Sequence, residues 1–167
     1  MGSQAGSPVR VRPARDTELD EAGALVAGAY LLGGYARREY LEKVADTRAR
    51  AADGEVLVAV DQDGTLLGSV TYAQPPSPLA ELSRPGEAEF RMLGVSAQAQ
   101  GAGVGQSLVE ACLERARAAG AHGMVLCTVS SMHAAQRLYE RLGFVRDPAR
   151  DWEPAPDVLL LAYARTL

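Results

Sequence analysis

Apolar and polar positions recur along the chain with two periods, and together they predict an α/β domain. Alternating or continuous apolar runs predict strands at residues 9–12, 55–60, 66–72, 87–95, 124–129, 144–146 and 158–164. Apolar residues at helical spacing predict helices at about 17–32, with Thr17 as the N-cap, at 37–51, at 104–119 and along 135–142. This order favours a mixed central sheet of about six to seven strands with helices on both faces.

Length and composition are typical of one globular domain. The 167 residues correspond to roughly one domain of 100–200 residues. Residues 1–7 are small and polar, so we expect a flexible N-terminal tail followed by a single domain at 8–167. No apolar run approaches the ~20 residues of a membrane helix, and the N-terminus lacks the apolar core of a secretory signal. We therefore expect no membrane partner and a cytoplasmic location.

Charge and metal-binding side chains argue against two further classes of function. The formal net charge of −4 argues against a nucleic-acid partner. The two cysteines, Cys112 and Cys127, do not form a CxxC pair, and the two histidines do not complete a zinc site with them. We therefore expect no metal.

The segment with the most chemical information is VSAQAQGAGVG, residues 95–105, which joins a predicted strand to a predicted helix. Its three glycines leave no Cβ over the loop, so backbone N–H groups can converge on an anion at the helix N-terminus. A diphosphate fits such a loop. A Walker loop is excluded because no Lys-Ser or Lys-Thr pair follows, and the GxGxxG spacing also fails. A glycine-rich turn without a ligand is the alternative.

Two motifs in order resemble the GNAT superfamily of acyl-CoA N-acyltransferases. Residues 100–105 (QGAGVG) match Q/R-x-x-G-x-G/A after the strand EFRMLGV, and RLYERLGF follows at 137–144. The resemblance rests on motifs at about 87–144 and only on the order of elements outside that range. It implies a GNAT-like fold and acetyl-CoA as the cofactor. The implied reaction is direct transfer of the acetyl group to a primary amine in a ternary complex.

The resemblance also assigns cofactor-binding roles. In this family the strand before the loop splays from its neighbour, and the pantetheine arm lies along it. By that analogy Leu93, Gly94 and Val95 contact the arm, with a bulge at Gly94, and the Val95 N–H faces the thioester carbonyl. The implied diphosphate contacts are Gln100, Gly101, Ala102, Gly103, Val104 and Gly105.

Two residues are implied as catalytic. Tyr139 aligns with the tyrosine that protonates the departing thiolate, which suits a phenol of pKa about 10. The alternative role for Tyr139 is packing alone, as part of the apolar stripe of a helix. Glu89 stands where some members have a general base. Because Glu87 lies on the same strand face, an exposed acidic strand edge is the alternative.

Three features concern the acceptor and the cofactor contacts. The family's acceptor site lies between two loops, which here contain Tyr30 and Tyr35, and Trp152 and Glu153. The acidic residues of the second loop favour a small cationic amine; solvated loop residues are the alternative. Met132 replaces an asparagine that often contacts the cofactor in this family.

The resemblance implies a small-molecule or peptide amine as acceptor and leaves other functions open. A catalytically inactive acyl-CoA sensor or interaction module is one alternative, and an α/β domain that binds another phosphate ligand is a second. A homodimer through an edge strand near the C-terminus is also open.

Overall fold

The computed structural model describes residues 8–34 and 37–167. The expected tail at 1–7 and Tyr35 lie outside the described residues. The described strands are β1 (Arg10–Pro13), β2 (Glu55–Val60), β3 (Leu66–Ala73), β4 (Glu87–Val95), β5 (Gly123–Val129), β6 (Val145–Arg146), β7 (Trp152–Ala155) and β8 (Val158–Thr166). The described helices are α1 (Leu19–Leu32), α2 (Arg38–Ala45), α3 (Thr47–Asp53), α4 (Val104–Ala118) and α5 (His133–Arg141).

The strands form one mixed sheet with the order β1-β2-β3-β4-β5-β8-β6, and β7 also pairs with β8. Only β4 and β5 are parallel among these pairs, and they lie at the centre. A parallel pair requires a crossover connection, and α4 provides it between β4 and β5. The predicted mixed sheet is confirmed. It has eight strands, one more than the upper end of the predicted six to seven.

Helices cover both faces, as predicted. On one face the apolar side of α4 packs over the sheet, and Leu108, Leu126 and Tyr139 share one buried cluster. On the other face α1 and α2 contribute Tyr30 and Val44 to a second buried cluster. In the described part of the chain, no helix is both long and apolar enough to cross a membrane.

The helical prediction at 37–51 is wrong in one respect, because the segment forms two helices. The Asp46 carboxylate caps α3 by accepting the Ala49 N–H at 3.2 Å. The Arg50 guanidinium then donates to the Val44 carbonyl at 2.7 Å and so satisfies the C-terminal end of α2. The expected cap at Thr17 is also wrong, since Thr17 lies within a short 3₁₀ turn, Asp16–Glu18, that precedes α1.

Strand β7 occupies part of a segment that the sequence predicts to be a loop. Two prolines, Pro154 and Pro156, argue against a strand there. The structure pairs Trp152 with Leu160 and Ala155 with Val158 through an irregular register. A short edge strand tolerates proline because one of its sides needs no ladder hydrogen bonds.

Candidate active site

The two central strands separate halfway along their length. The β4/β5 ladder runs from the pair Glu87/Gly123 to the pair Phe90/Leu126. Both strands continue past it, β4 to Val95 and β5 to Val129. The opening that results, which we call the central gap, is the splay implied by the family resemblance.

A β-bulge lies on β4 beside the central gap. Ser69 pairs with Gly94 and Thr71 pairs with Arg91, so a single β3 residue opposes both Met92 and Leu93. Met92 has a φ of 56°, an unusual value for a residue with a side chain. The bulge expected at Gly94 therefore lies at Met92 and Leu93.

Gly94 has a different role, because it lets α1 approach the sheet closely. A Cβ on Gly94 would lie 2.9 Å from the Cα atom of Val26. This contact brings the α1 backbone against β4 next to the central gap.

The Val95 backbone points into the central gap. Val95 and Gly68 oppose each other, and the Ser96 N–H donates to the Leu67 carbonyl at 2.9 Å. This pattern makes Val95/Gly68 a non-hydrogen-bonded pair, so the Val95 N–H and carbonyl point away from β3. The Gln100 side-chain amide donates to that carbonyl at 3.1 Å.

The glycine loop has the backbone that an anion site needs. Gly101 and Gly103 have φ values of 77° and 80°, and a Cβ on either would meet no atom within 4 Å. Gly103 directly precedes α4, whose first N–H groups have no acceptor within the helix. Gly105 differs: its Cβ would lie 3.0 Å from Leu138, so this glycine permits close packing of α4 on α5.

The other loop residues predicted to bind the cofactor differ in which of their atoms could contact an anion. The Ala102 N–H donates to the Ala99 carbonyl at 3.3 Å. The Val104 side chain is buried in the core, while Gln100 is exposed. Any contact from Ala102 or Val104 to an anion would therefore be made by backbone atoms.

Tyr139 is buried in an aromatic cluster beside the central gap. Its ring centroid lies 5.7 Å from that of Phe90, 6.2 Å from Phe144 and 6.1 Å from Tyr163. Burial raises the pKa of Tyr139, so its hydroxyl stays protonated at neutral pH. The geometry fits both the packing role and a protonated phenol next to the gap.

Glu89 is buried and held by the proline-rich segment at 74–86. Its carboxylate accepts the N–H of Leu82 at 3.2 Å, and the N–H and hydroxyl of Ser83 at 3.4 and 3.3 Å. Burial raises the pKa of Glu89, and these hydrogen bonds partly oppose that shift. The exposed-edge interpretation is wrong, because Glu89 is only 2% exposed and Glu87 is paired with Arg150 at 3.0 Å.

The residues predicted for the acceptor are only partly brought together. Tyr30 is buried with Tyr40, at 6.3 Å between ring centroids, and Trp152 packs on the same cluster. Glu153 is exposed, and Tyr35 lies outside the described residues.

Two of the acids that argued for a cationic acceptor are paired with arginines. Asp151 accepts two hydrogen bonds from Arg146, at 2.8 and 2.7 Å. Asp147 lies 2.9 Å from Arg150. The negative charge of Asp147 and Asp151 is therefore neutralised within the loop, and Glu153 stays exposed.

Sequence reasoning missed two residues at the central gap, Arg91 and Cys127. Arg91 is buried and donates to the Leu79 carbonyl at 3.1 Å. Cys127 follows Leu126 on β5, and burial raises the pKa of its thiol to about 11. A charged residue within the apolar run of a central strand was the available signal for Arg91.

Met132 is the N-cap residue that precedes α5, and it packs against the end of α1. Its Cγ atom lies 3.3 Å from the position that a Cβ would take on Gly33. Within the described residues, no three His, Cys, Asp or Glu side chains form a metal-binding group.

Comparison with known proteins identifies relatives of this chain. The sequence model described as "Acetyltransferase (GNAT) family" matches residues 25–144. A mycothiol acetyltransferase of Paenarthrobacter aurescens is 34% identical over 111 residues, which cover 61% of this chain and 32% of the relative. An L-methionine sulfoximine/L-methionine sulfone acetyltransferase of Pseudomonas aeruginosa is 38% identical over 104 residues, covering 59% and 55%. The matched part thus spans about a third to about half of these relatives.

A solved structure covers nearly the whole chain. The GCN5-related N-acetyltransferase from Kribbella flavida has a TM-score of 0.69 and 26% sequence identity, and the alignment covers 95% of this chain and 98% of that one. The similarity extends beyond the motifs to the flanking strands and helices.

Proposed function

The chain belongs to the acetyltransferase (GNAT) family, and from that membership we propose that it transfers an acetyl group from acetyl-CoA to a primary amine of a small molecule. One observation carries the proposal. The central gap beyond Phe90 and Leu126 lies where β4 leads into the glycine loop and the N-terminus of α4. This arrangement supports the proposal, because a groove for an extended arm would lie next to a site for a diphosphate.

The backbone of β4 and of the loop supplies the cofactor contacts. N–H groups of the glycine loop and of the first turn of α4 bind the diphosphate, aided by the positive end of the helix dipole. Leu93, Gly94 and Val95 line the path of the pantetheine arm. The Val95 N–H donates to the thioester oxygen, where negative charge develops during attack. Acetyl-CoA supplies the acetyl group as an activated thioester.

Two side chains act as the general base and the general acid. Glu89 takes the proton that the amine must lose, and it acts through water because its oxygens already accept hydrogen bonds from Leu82 and Ser83. The amine nitrogen then bonds to the carbonyl carbon and the carbon–sulfur bond breaks. The Tyr139 hydroxyl, which its raised pKa keeps protonated, donates a proton to the departing thiolate, and the second proton released by the amine nitrogen restores the phenol.

A panel of primary amines, assayed for coenzyme A release from acetyl-CoA, tests the proposal. We expect release that depends on at least one amine and yields its N-acetyl derivative. Acetyl-CoA binding without amine-dependent release would favour the sensor or interaction module instead. Absence of acetyl-CoA binding would overturn both and favour a domain for another phosphate ligand.

Three expectations from the sequence stay predictions: a single domain at 8–167, a cytoplasmic location and a homodimer. Gel filtration with light scattering tests the last of these directly.

A further inference from the structure

Two buried hydrogen-bond donors on the α1/α2 face have no oxygen or nitrogen acceptor within residues 8–34 and 37–167. They are Nε of Arg91 and Nε1 of Trp152. The Arg91 side chain is only 8% exposed. A buried donor without an acceptor is unfavourable, so two such groups on the same face of a sheet indicate a site for an acceptor atom.

The topology places both donors at the mouth of the central gap. Arg91 is the first β4 residue after the last β4/β5 pair, and Cys127 is its counterpart on β5. Cys127 and Trp152 pack on the same cluster as Met92 and Tyr30. The Trp152 indole hydrogen-bonds to the Cys127 thiol and lowers its pKa, as does the charge of Arg91, against the larger effect of burial. A thiol sulfur is a weak acceptor and does not satisfy such donors.

Among the described residues, the Arg91 guanidinium makes an ion pair with one carboxylate, that of Glu81. Its contacts are made through Nη1, to the Leu79 carbonyl at 3.1 Å and to the Glu81 carboxylate at a long 3.4 Å. Glu81 is also about a third exposed. The buried Glu89 carboxylate lies near enough for the Arg91 charge to lower its pKa, while its hydrogen bonds come from Leu82 and Ser83.

A second buried cation lies on the same face. Arg50 donates to the Val44 and Lys43 carbonyls and to the Thr71 hydroxyl, all neutral acceptors. Burial lowers the pKa of Arg50 to about 10, and the positive charge of Arg91 contributes to this shift. This face of the central gap thus holds two arginines, Arg50 and Arg91, beside the acids Glu81 and Glu89.

We infer that Arg91 and Trp152 bind an anionic oxygen group of the acceptor, so that the substrate class is an amine with a carboxylate close to its amino group. The inference rests on the proposed acetyl transfer, because it places this group beside the reacting thioester. It reverses the expectation of a cationic amine. Glu81 acts as an internal competitor for Arg91.

Matched pairs of a free amino acid and its carboxamide test the inference, starting with methionine and methioninamide. The two differ in the carboxylate, and the less basic amine of the carboxamide works against the expected result. We expect the acid to have a kcat/KM about tenfold higher or more, as lost hydrogen bonds to charged groups predict.

Three variants separate the contributions. Arg91→Gln should remove the preference for the acid. Glu81→Gln should lower KM for the acid and leave KM for the carboxamide unchanged. Trp152→Phe should raise KM for the acid only. Arg117→Gln, at an exposed arginine near the end of α4, is the control and should change neither substrate.

The outcomes distinguish this inference from the function on which it rests. If none of the amines is acetylated, the proposed function fails first. If acids and carboxamides are acetylated equally well and Glu81→Gln has no effect, the inference is overturned while acetyl transfer stands. Because Glu81 is partly exposed, its variant carries the test even if Arg91→Gln does not fold.

Discussion

Phe90 of β4 and Leu126 of β5 are the last paired residues of the parallel ladder at the centre of the sheet. On one side of this pair lie Glu87 and Gly123, held in regular register. On the other side lie Arg91 and Cys127, the first residues of the central gap. Tyr139 packs on Phe90 itself, at 5.7 Å between ring centroids. This residue pair thus marks where the regular parallel ladder ends and the central gap begins.

Replacing Gly103 with valine should abolish most acetyl-CoA affinity. The residue has a φ of 80°, and its missing Cβ faces the open space where the diphosphate is proposed to bind. Gly120→Val is the matched control, because Gly120 has a φ of 76° and also faces open space at the far end of α4. Both variants should lose about 1–3 kcal/mol of unfolding free energy from backbone strain. Calorimetry should find weaker binding in Gly103→Val only; equal affinity in both variants contradicts the placement.

Tyr139→Phe should fold and bind acetyl-CoA but turn over about 10²–10⁴-fold more slowly. The substitution keeps the ring contacts with Phe90 and Phe144 and removes only the proton donor. Tyr163→Phe removes a hydroxyl from the same aromatic cluster and should keep its activity. The measurement is kcat at saturating substrates, with melting temperatures as a check on folding. Wild-type turnover by Tyr139→Phe, where chemistry is rate-limiting, would show that the residue only packs.

Because Glu89 is the proposed base, kcat should fall at acidic pH, and the midpoint of this fall should lie above the ordinary pKa of a glutamate. The base must be ionised, so the rate rises as pH rises through its pKa, which burial raises. Ser83→Ala removes a hydrogen bond that lowers this pKa and should move the midpoint to higher pH. Glu89→Gln should remove the fall at acidic pH and most of the activity. A pH profile that neither substitution changes would exclude Glu89 as the base.

Stability at acidic pH should depend on Glu18, which precedes α1. Hydrogen bonds from Arg12, at 2.9 and 2.7 Å, and from the Arg15 N–H lower its pKa from 4.5 to about 2. Because the folded-state pKa is lowered, this contribution is present above pH 4.5 and is lost as pH falls to about 2. Denaturant unfolding across that range should give a flatter pH dependence for Glu18→Gln. Glu42→Gln, in the exposed pair with Arg38, should keep the wild-type slope.

The elements with a strong period were predictable from the sequence, and those set by tertiary contacts were not. The apolar run at 124–129 and the stripe through Leu108 and Cys112 predicted β5 and α4 because each buries a whole strand or a whole helix face. The break at Asp46 was not predictable, since it depends on Arg50 reaching back to the carbonyls of α2. The Met92 bulge leaves no mark on the sequence pattern either.

Some features of the candidate site were likewise predictable from the sequence, and others were not. The glycine loop and Tyr139 were identified because a family motif fixes their spacing. The environment of Glu89 was not, because the segment at 74–86 that covers it has no periodic pattern. The neutralisation of Asp147 and Asp151 by Arg150 and Arg146 also depends on three-dimensional pairing that local sequence does not specify.

The most direct test of the account is the initial-rate pattern with acetyl-CoA and an accepted amine varied together. Direct attack of the amine requires both substrates on the protein at once, so double-reciprocal plots should intersect. Parallel lines would indicate a covalent acetyl-enzyme, for which Cys127 at the start of the central gap is a candidate nucleophile, and would contradict direct transfer. We expect intersecting lines and no acetylated form of the protein by mass spectrometry.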